Sequence, residues 1–598
     1  MTCCLRIYIL LSLTLATLLQ NRTVSCLSAN GITPSTTKVL WFRSNSLRIK
    51  DNDAILTAIE ESRESESIFP VYLWNTDVMS RVGVPFSRST GGTASDVFLA
   101  QVLHALNQTL SGNLQVGIIK NESRDKGLTD TVRELQKICS SINATEIFYL
   151  QSHDDEMEKR LFQYIISSGL TPRPFNNACT LLDYSKVVVP WKEIIMRHAY
   201  RSPLIPFVDY VDEMIKENPI PSPQPEPFDW ENLLCGKDAC IPSNPINIDK
   251  LLSYTGISKG GTKWKSSILK EWAADEPSAE EALDKFITSL KMKAMDTKIT
   301  HLESRLSPYL ARGILSARQV YHAIKGAEEE GHDVNSFMRR ICWRDYTHAV
   351  TRLYPDILDG RVIREEYILQ NEDNGNGKTL KRDNHDVLQQ WKQGQTGFPL
   401  VDAGMRQLQI EGWMPQKVRL AASTCLIEGL GVSWENGMDH FKEFLVDYDE
   451  RINTNMWMNA GCVGFDPYYI GLDYKRRQYW DKNGDYVRKW VPEIRNLPDS
   501  VELSEKERGI GKFKVDCLYE PWAAPDEVLQ DANVVLGQSY PERICDERKG
   551  RKNFLSSLRK CRDKWDPSLK DERRRDIISL GRDEHAERIG IFTPVMIK

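Results

Sequence analysis

The first third of the chain alternates two kinds of segment, and this alternation limits the fold more than any other feature. Lys38–Phe42 (KVLWF), Ile68–Trp74 (IFPVYLW), Leu114–Ile119 and Glu146–Leu150 are short apolar runs that read as buried strands. Asp53–Glu61, Val97–Leu110 and Leu128–Ser141 fall between them and read as helices. Such alternation predicts a parallel sheet covered by helices on both faces. No G-x-G-x-x-G follows the first strand, so the dinucleotide-binding fingerprint is absent.

The rest of the chain obeys a different rule. From about 265 to 495 successive helices carry Trp, Leu and Met at helical spacing, and no strand signal recurs. The fold class expected is therefore α/β followed by all-α. The expected boundaries are a leader-like segment 1–36, an α/β domain 37–170, a linker 171–262, a helical domain 263–500, a closing segment 501–545 and a charged extension 546–598. The linker contains PIPSPQPEP at 219–227, a semi-rigid connector. The extension, with Arg548-Lys549-Gly550-Arg551-Lys552 and Arg573-Arg574-Arg575, reads as a charged, partly disordered tail.

The start of the chain points to targeting. Arg6 precedes the apolar stretch Ile7–Leu19, followed by small residues at Ser25, Ser28 and Ala29, a signal-like pattern too short for a membrane span. Thirteen scattered cysteines with no C-x-x-C pair exclude a clustered zinc or iron–sulfur site and read as buried thiols of a reducing compartment, with no metal expected. Plastid import reconciles the two signals; a nuclear or cytoplasmic protein is the reading if translation starts further in. No membrane contact is expected of the mature chain. The net charge of −5 means that any nucleic-acid role must rest on a local basic face.

The motifs then narrow the field. WFRSNSLRIKDNDAIL (Trp41–Leu56), SRLSPYLARGILSARQ (Ser304–Gln319), CWRDY (Cys342–Tyr346), WKQGQTGFPLVDAGMRQLQIEGWM (Trp391–Met414), DYDERINTNMW (Asp447–Trp457), GDYVRKWVPEI (Gly484–Ile494) and PWAAP (Pro521–Pro525) occur in this order. Together they resemble the DNA photolyase/cryptochrome family over residues 38 to 540, with plant-like and DASH-like features. The resemblance implies FAD in the helical half, and a folate (MTHF) or deazaflavin antenna in the α/β half.

Physical requirements assign roles within that resemblance. A pyrophosphate needs backbone N–H groups and hydroxyls at a helix start. The resemblance places Ser304, Arg305, Leu306 and Ser307 there, before Pro308; Glu303 departs from the family's hydroxyl. It also places Arg344, Asp447 and Asp449 at the flavin, pairs Asp447 with Arg419, and sets Asn453 against flavin N5. An amide there exchanges hydrogen bonds but gives up no proton at neutral pH. Trp457, four residues on and on the same helical face, is the expected electron donor. Trp434 matches the second step; the third is expected near 381, where KTLKRDNHD has no Trp. Glu156, within QSHDDEMEKR, is the antenna candidate.

The residues that would read a DNA lesion depart from the family. Trp343 stands at one stacking position, but Arg340 replaces the family's lesion-reading Glu. Asn459 replaces the second stacking Trp, and Pro415-Gln416 fills the place of His-Asn or a His pair. Arg340, Trp343, Arg344, Gln416 and Lys417 are the possible DNA contacts, and Lys475, Arg476 and Arg477 extend the expected basic rim. Three readings follow. One is a cryptochrome-type blue-light photoreceptor, signalling through flavin photoreduction to protein partners by way of its tail. Another is a light-driven photolyase for cyclobutane dimers, acting on single strands. The third is a flavin-binding DNA or transcription partner without photochemistry. The sequence leaves open whether the chain is an enzyme.

Overall fold

The computed structural model describes residues 37–591 apart from 63–65, 76–92, 120–123, 152–154, 185, 198–203, 228–233, 235–245, 255–262, 296–302, 368–384, 467–472, 479, 504–512, 564–567, 569, 571–574 and 583–585. The leader-like segment, the place of the third electron donor up to residue 384 and the Glu156 side chain therefore lie outside the described residues.

Five parallel strands form the sheet: β1 (Thr37–Phe42), β2 (Ser67–Asn75), β3 (Gln115–Ile119), β4 (Glu146–Leu150) and β5 (Thr171–Phe175), in the order β3-β2-β1-β4-β5. Helices α1 (Asp53–Glu60), α2 (Ala94–Thr109), α3 (Arg124–Ser141) and α4 (Asp155–Ser167) connect them. Strand periodicity divides the burial. Val39, Trp41, Val71 and Ile147 pack with Leu135 and Ile165 of α3 and α4. Leu40, Phe42, Tyr72 and Trp74 face a core continuous with the helical half. The sequence reading assigned β5 to the linker. Pro172 and Pro174 hide it, and a strand bearing two prolines is tolerated because it sits at the sheet edge and pairs only with β4.

The helices that carry the site are α5 (Ser307–Arg312), α6 (Asn335–Leu353), α7 (Pro399–Glu411), α8 (Gln416–Thr424), α9 (Trp434–Phe444) and α10 (Glu450–Ala460). Buried ionic groups lock them to the sheet. Arg48, fully buried, donates to Asp51 O, to Asn177 O and Oδ1, and to Gly313 O at 3.1 Å. At Gly313, φ is +64° and a Cβ would lie 2.0 Å from Asn45 O, so only glycine allows this approach. Asp345 of CWRDY accepts from Leu181 N, Leu182 N and Tyr184 OH, tying the linker to α6. Asp402 accepts from Thr396 N, Gly397 N and Tyr540 OH, which fixes the turn before α7 and anchors the closing segment. Much of the motif pattern is thus scaffold.

Parts of the charged extension are folded. Glu547–Asp563 is a helix, α11, with Phe554 and Leu558 buried. Asp576–Ser579 and Arg588–Ile591 form an antiparallel hairpin. Asp576, 1 % exposed, accepts from Arg364 Nη1 at 3.1 Å and Tyr367 OH at 2.8 Å and lies 3.4 Å from Arg562. Despite its charge α11 packs, because most of its cations lie opposite its apolar residues, while Arg551 and Arg562 on the inner side meet Glu428 and Asp576.

Candidate functional site

The acidic end of DYDERINTNMW organises the site. Asp449 caps α10, accepting from Arg451 N and Ile452 N at 3.0 and 3.2 Å. Its Oδ2 lies 3.5 Å from Arg344 Nη1 and 3.6 Å from His348 Nε2. Burial opposes its charge, yet His348, Arg344 and Arg451 hold the carboxyl well below the usual range. Burial in turn pushes His348 down despite Asp449. Two residues earlier, Asp447 Oδ2 accepts from Arg419 Nη2 at 2.7 Å. Asp447 Oδ1 is buried with no hydrogen-bond partner. A carboxylate oxygen left in that state is unfavourable unless a ligand donor reaches it.

Asn453 is buried one turn into α10, and its Nδ2 donates to Met438 O at 3.2 Å. With one amide N–H engaged, the other N–H and Oδ1 remain for a ligand. Trp457 follows one turn later, 3 % exposed. A Cβ at Gly437 would lie 2.1 Å from its ring, so α9 leaves that space to the indole. Trp434 packs on Gly461, whose N–H donates to Trp457 O. The indole in ring contact with Trp457 is Trp391, 6.5 Å between centroids and fully buried. His440 lies 5.6 Å from Trp391; burial pushes its pKa down to about 3, so it stays neutral.

The turn before α5 divides its residues between two tasks. Ser304 Oγ accepts from Leu306 N at 3.4 Å, and Ser307 Oγ accepts from Trp413 Nε1 at 3.0 Å. Leu306 is fully buried. Arg305 points elsewhere: its guanidinium stacks on Trp272 and Trp413 and pairs with Glu271 and Glu411. Its contribution is to brace the turn.

The expected DNA face is largely engaged in internal ion pairs. Arg340 lies 3.4 Å from Glu303, so the two departures from the family pattern meet each other. Asn459 Oδ1 accepts from Asp466 N at 3.1 Å and holds the following loop. Lys475 pairs with Glu547, Arg477 with Asp516 and Asp499, and Arg476 with Asp473, so the expected basic rim at 475–477 is neutralised. Trp343 is half-buried, Gln416 exposed and Lys417 half-buried.

A cavity of about 300 Å³ lies where the carboxyl ends of β1 and β2 meet the helical half. Trp41, Arg43, Tyr72, Leu99, Arg312 and Glu450 line it. Such a place, beside the point where strand order reverses, is the usual ligand crevice of open α/β sheets. Arg43 also pairs with Glu158, on the helix that begins with Asp155 and carries Glu156.

Sequence reasoning missed His348, Trp391 and this cavity. His348 sits four residues after Arg344 on one helical face, and Trp391 opens a motif already singled out. Those two were within reach of the sequence; the cavity, assembled from five separate segments, was not.

Residues 38–187 match the family described as DNA photolyase, and residues 337–560 match the FAD binding domain of DNA photolyase. The chain belongs to the DNA photolyase/cryptochrome family. It is 28 % identical to a deoxyribodipyrimidine photo-lyase of Agrobacterium fabrum over 87 % of its own length and 97 % of that protein's. It is 25 % identical to cryptochrome-1 of Arabidopsis thaliana over 88 % and 70 %. A deoxyribodipyrimidine photo-lyase of Alkalihalophilus pseudofirmus is 35 % identical, but the match spans about half of that relative, 48 %, and 42 % of this chain. The crystal structure of a class III photolyase from Agrobacterium tumefaciens superposes with a TM-score of 0.68 at 24 % identity, covering 90 % of this chain and all of that one. Membership makes the helical half an FAD-binding domain. The residues fit that cofactor: Asp447 Oδ1 lacks a donor, Asn453 Oδ1 offers an acceptor, and aromatic rings stand one turn away. Among the described residues, no helix is long and apolar enough to cross a membrane.

Proposed function

We propose that the protein is a blue-light photoreceptor that works by flavin photoreduction and releases no product. FAD supplies the ring that absorbs blue light and accepts an electron. Trp457 would supply an electron to a flavin bound there, with Trp391 and Trp434 as the rings behind it. Asp447, Asp449, Arg344 and Arg419 hold the cofactor, with Ser304 and Ser307 at its phosphates. Asn453 keeps an acceptor at the ring and offers no acidic proton. The α/β cavity takes the folate or deazaflavin antenna, where Trp41 and Tyr72 provide rings to stack on and Arg43 and Arg312 provide donors. The folded extension, through α11 and its hairpin, presents the surface that signalling partners read. The leader-like start makes the plastid the compartment of this reading.

The observation that carries the choice over repair is the pair Arg340–Glu303. The position that reads a lesion in photolyases is a cation occupied by an internal partner, and Asn459 is used by a loop. A photolyase acting on single strands is the second reading, favoured by the half-buried Trp343 beside Tyr346, ring centroids 5.8 Å apart. Illumination of the purified protein with dimer-containing oligonucleotides separates the readings. Flavin reduction with no repair supports the receptor, turnover of dimers replaces it with the enzyme, and a flavin that light does not reduce leaves the DNA-partner reading.

A further inference from the structure

We propose that Trp264 is the terminal electron donor, a solvent-side ring that refills Trp391 and stands in for the indole expected near 381; this rests on flavin photoreduction being the working reaction. Residues 368–384 contain neither Trp nor Tyr. The two rings behind Trp457 are enclosed: Trp391 is fully buried and Trp434 is 8 % exposed. A radical cation on either is a charge held away from water, which is costly. It is lost by recombination with the reduced flavin unless an outer ring takes it.

One row of rings leads outward from Trp391. Trp391 lies 5.6 Å from His440, His440 lies 4.7 Å from Phe444, and Phe444 lies 6.2 Å from Trp264, centroid to centroid. His440 and Phe444 are four residues apart on α9 and share a face. An imidazole and a phenyl ring are poor electron donors, so these two serve as packed medium between the indoles at either end. Trp264 is half-buried, the least enclosed of the four indoles, so water stabilises the cation there. No such row leaves Trp434: it packs on Gly461 and has no ring contact among the described residues.

The surroundings of the row suit this traffic. Trp391 Nε1 donates to Ala422 O at 3.0 Å. An amide carbonyl is no base, so an oxidised Trp391 keeps its proton and stays ready to take the next electron. Burial keeps His440 neutral, so it adds no charge that would repel a passing cation. The helix Lys263–Glu271, which carries Trp264, is held in place. Lys265 pairs with Asp249 at 2.8 Å, and a Cβ at Gly412 would lie 3.2 Å from Phe444 O and 3.3 Å from Ile268 Cδ1. The step balances. Trp264 loses one electron and then its indole N–H proton, which goes to water. The light-excited flavin is the oxidant, and it receives that electron by way of Trp391 and Trp457.

The test pairs transient absorption of the flavin-loaded full chain with peptide mass spectrometry after illumination in a nitroso spin trap, which marks the ring that carries the radical. The unmodified chain should bear the adduct on Trp264. Trp264→Phe, which keeps a ring against Phe444, should lose that adduct. It should also shorten the lifetime of the separated charges by about tenfold, the change that ~1.4 kcal/mol of barrier makes. Its flavin content and circular dichroism should match the unmodified chain. Trp522→Phe, in the closing segment, should change neither readout. An unchanged lifetime in Trp264→Phe, or an adduct on another ring in place of Trp264, overturns the proposal and leaves photoreduction standing. A flavin that light does not reduce in the unmodified chain overturns both.

Discussion

Glu303 and Arg340 stand 3.4 Å apart, carboxylate to guanidinium, at the seam between the turn that precedes α5 and the first half of α6. Each is unusual for its family position, and each makes the other acceptable. A carboxylate beside cofactor phosphates is repulsive unless a cation neutralises it. Arg340→Glu should therefore lower the flavin retained on purification, while overall stability falls by only about 0.5–1 kcal/mol because the pair is partly solvated. Adding Glu303→Thr should restore the flavin. The flavin-to-protein absorbance ratio of the two single variants and the double checks the coupling.

Electron supply should depend on ring order. Trp457 sits one helical turn from Asn453, and Trp391 touches it at 6.5 Å. Trp457→Phe should slow flavin photoreduction by about tenfold or more, which corresponds to ~1.4 kcal/mol of barrier. Trp391→Phe and Trp434→Phe should leave the first electron transfer intact and shorten the lifetime of the separated charges. Transient absorption on the three variants measures both effects.

Glu276 couples pH to stability. Its carboxylate accepts from Ile49 N at 2.8 Å and Lys50 N at 3.1 Å, joining the helix Glu276–Met295 to the sheet domain. Burial nevertheless pushes its pKa up to about 7 from an ordinary 4.5. The folded chain then binds more protons than the unfolded chain between those two values, so this group lowers stability as pH rises from about 4.5 to 7. The total is on the order of 3 kcal/mol. Glu276→Gln should flatten the slope of unfolding free energy against pH in that window, as measured by denaturant melts at matched ionic strength.

The extension should come loose from one buried position. Asp576 lies between Arg364, Arg562 and Tyr367, and Asp576 and Arg364 are each 1 % exposed. Asp576→Ala leaves a buried guanidinium without its carboxylate, a loss of about 3–5 kcal/mol locally. Limited proteolysis should then cut the hairpin and α11 before the rest of the chain, and cleavage at the unmodified rate would remove the role given to Asp576.

The fold was legible where side-chain period and motif coincide. β1 to β4 show as apolar runs because a parallel sheet buries both faces. The pairing of Asp447 with Arg419 could be named because the family resemblance implied it. What escaped depends on partners far apart in sequence. β5 is held by one neighbour despite its prolines, α11 is helical because Cys425–Gly429 accepts its apolar side, and Lys475–Arg477 looked like a free basic run until Glu547, Asp516 and Asp499 closed on it. Composition carries no record of such pairings.

The α/β cavity permits a test that leaves the flavin untouched. Leu99 on α2 is 7 % exposed and lines the space together with Trp41, Tyr72 and Arg312. At about 300 Å³ the space suits part of a pterin or deazaflavin ring system and is at the lower end of small-molecule pockets. An indole at this position would occupy much of it, and the growth is directed into open space, so the penalty for overpacking, about 1–3 kcal/mol in a filled core, is largely avoided. Leu99→Trp should abolish uptake of added folate, read as loss of energy transfer from pterin absorption to flavin emission, while flavin content and photoreduction under direct blue light stay unchanged. Retained energy transfer would place the antenna elsewhere; loss of flavin along with the antenna would show that the cavity wall supports the helical half as well.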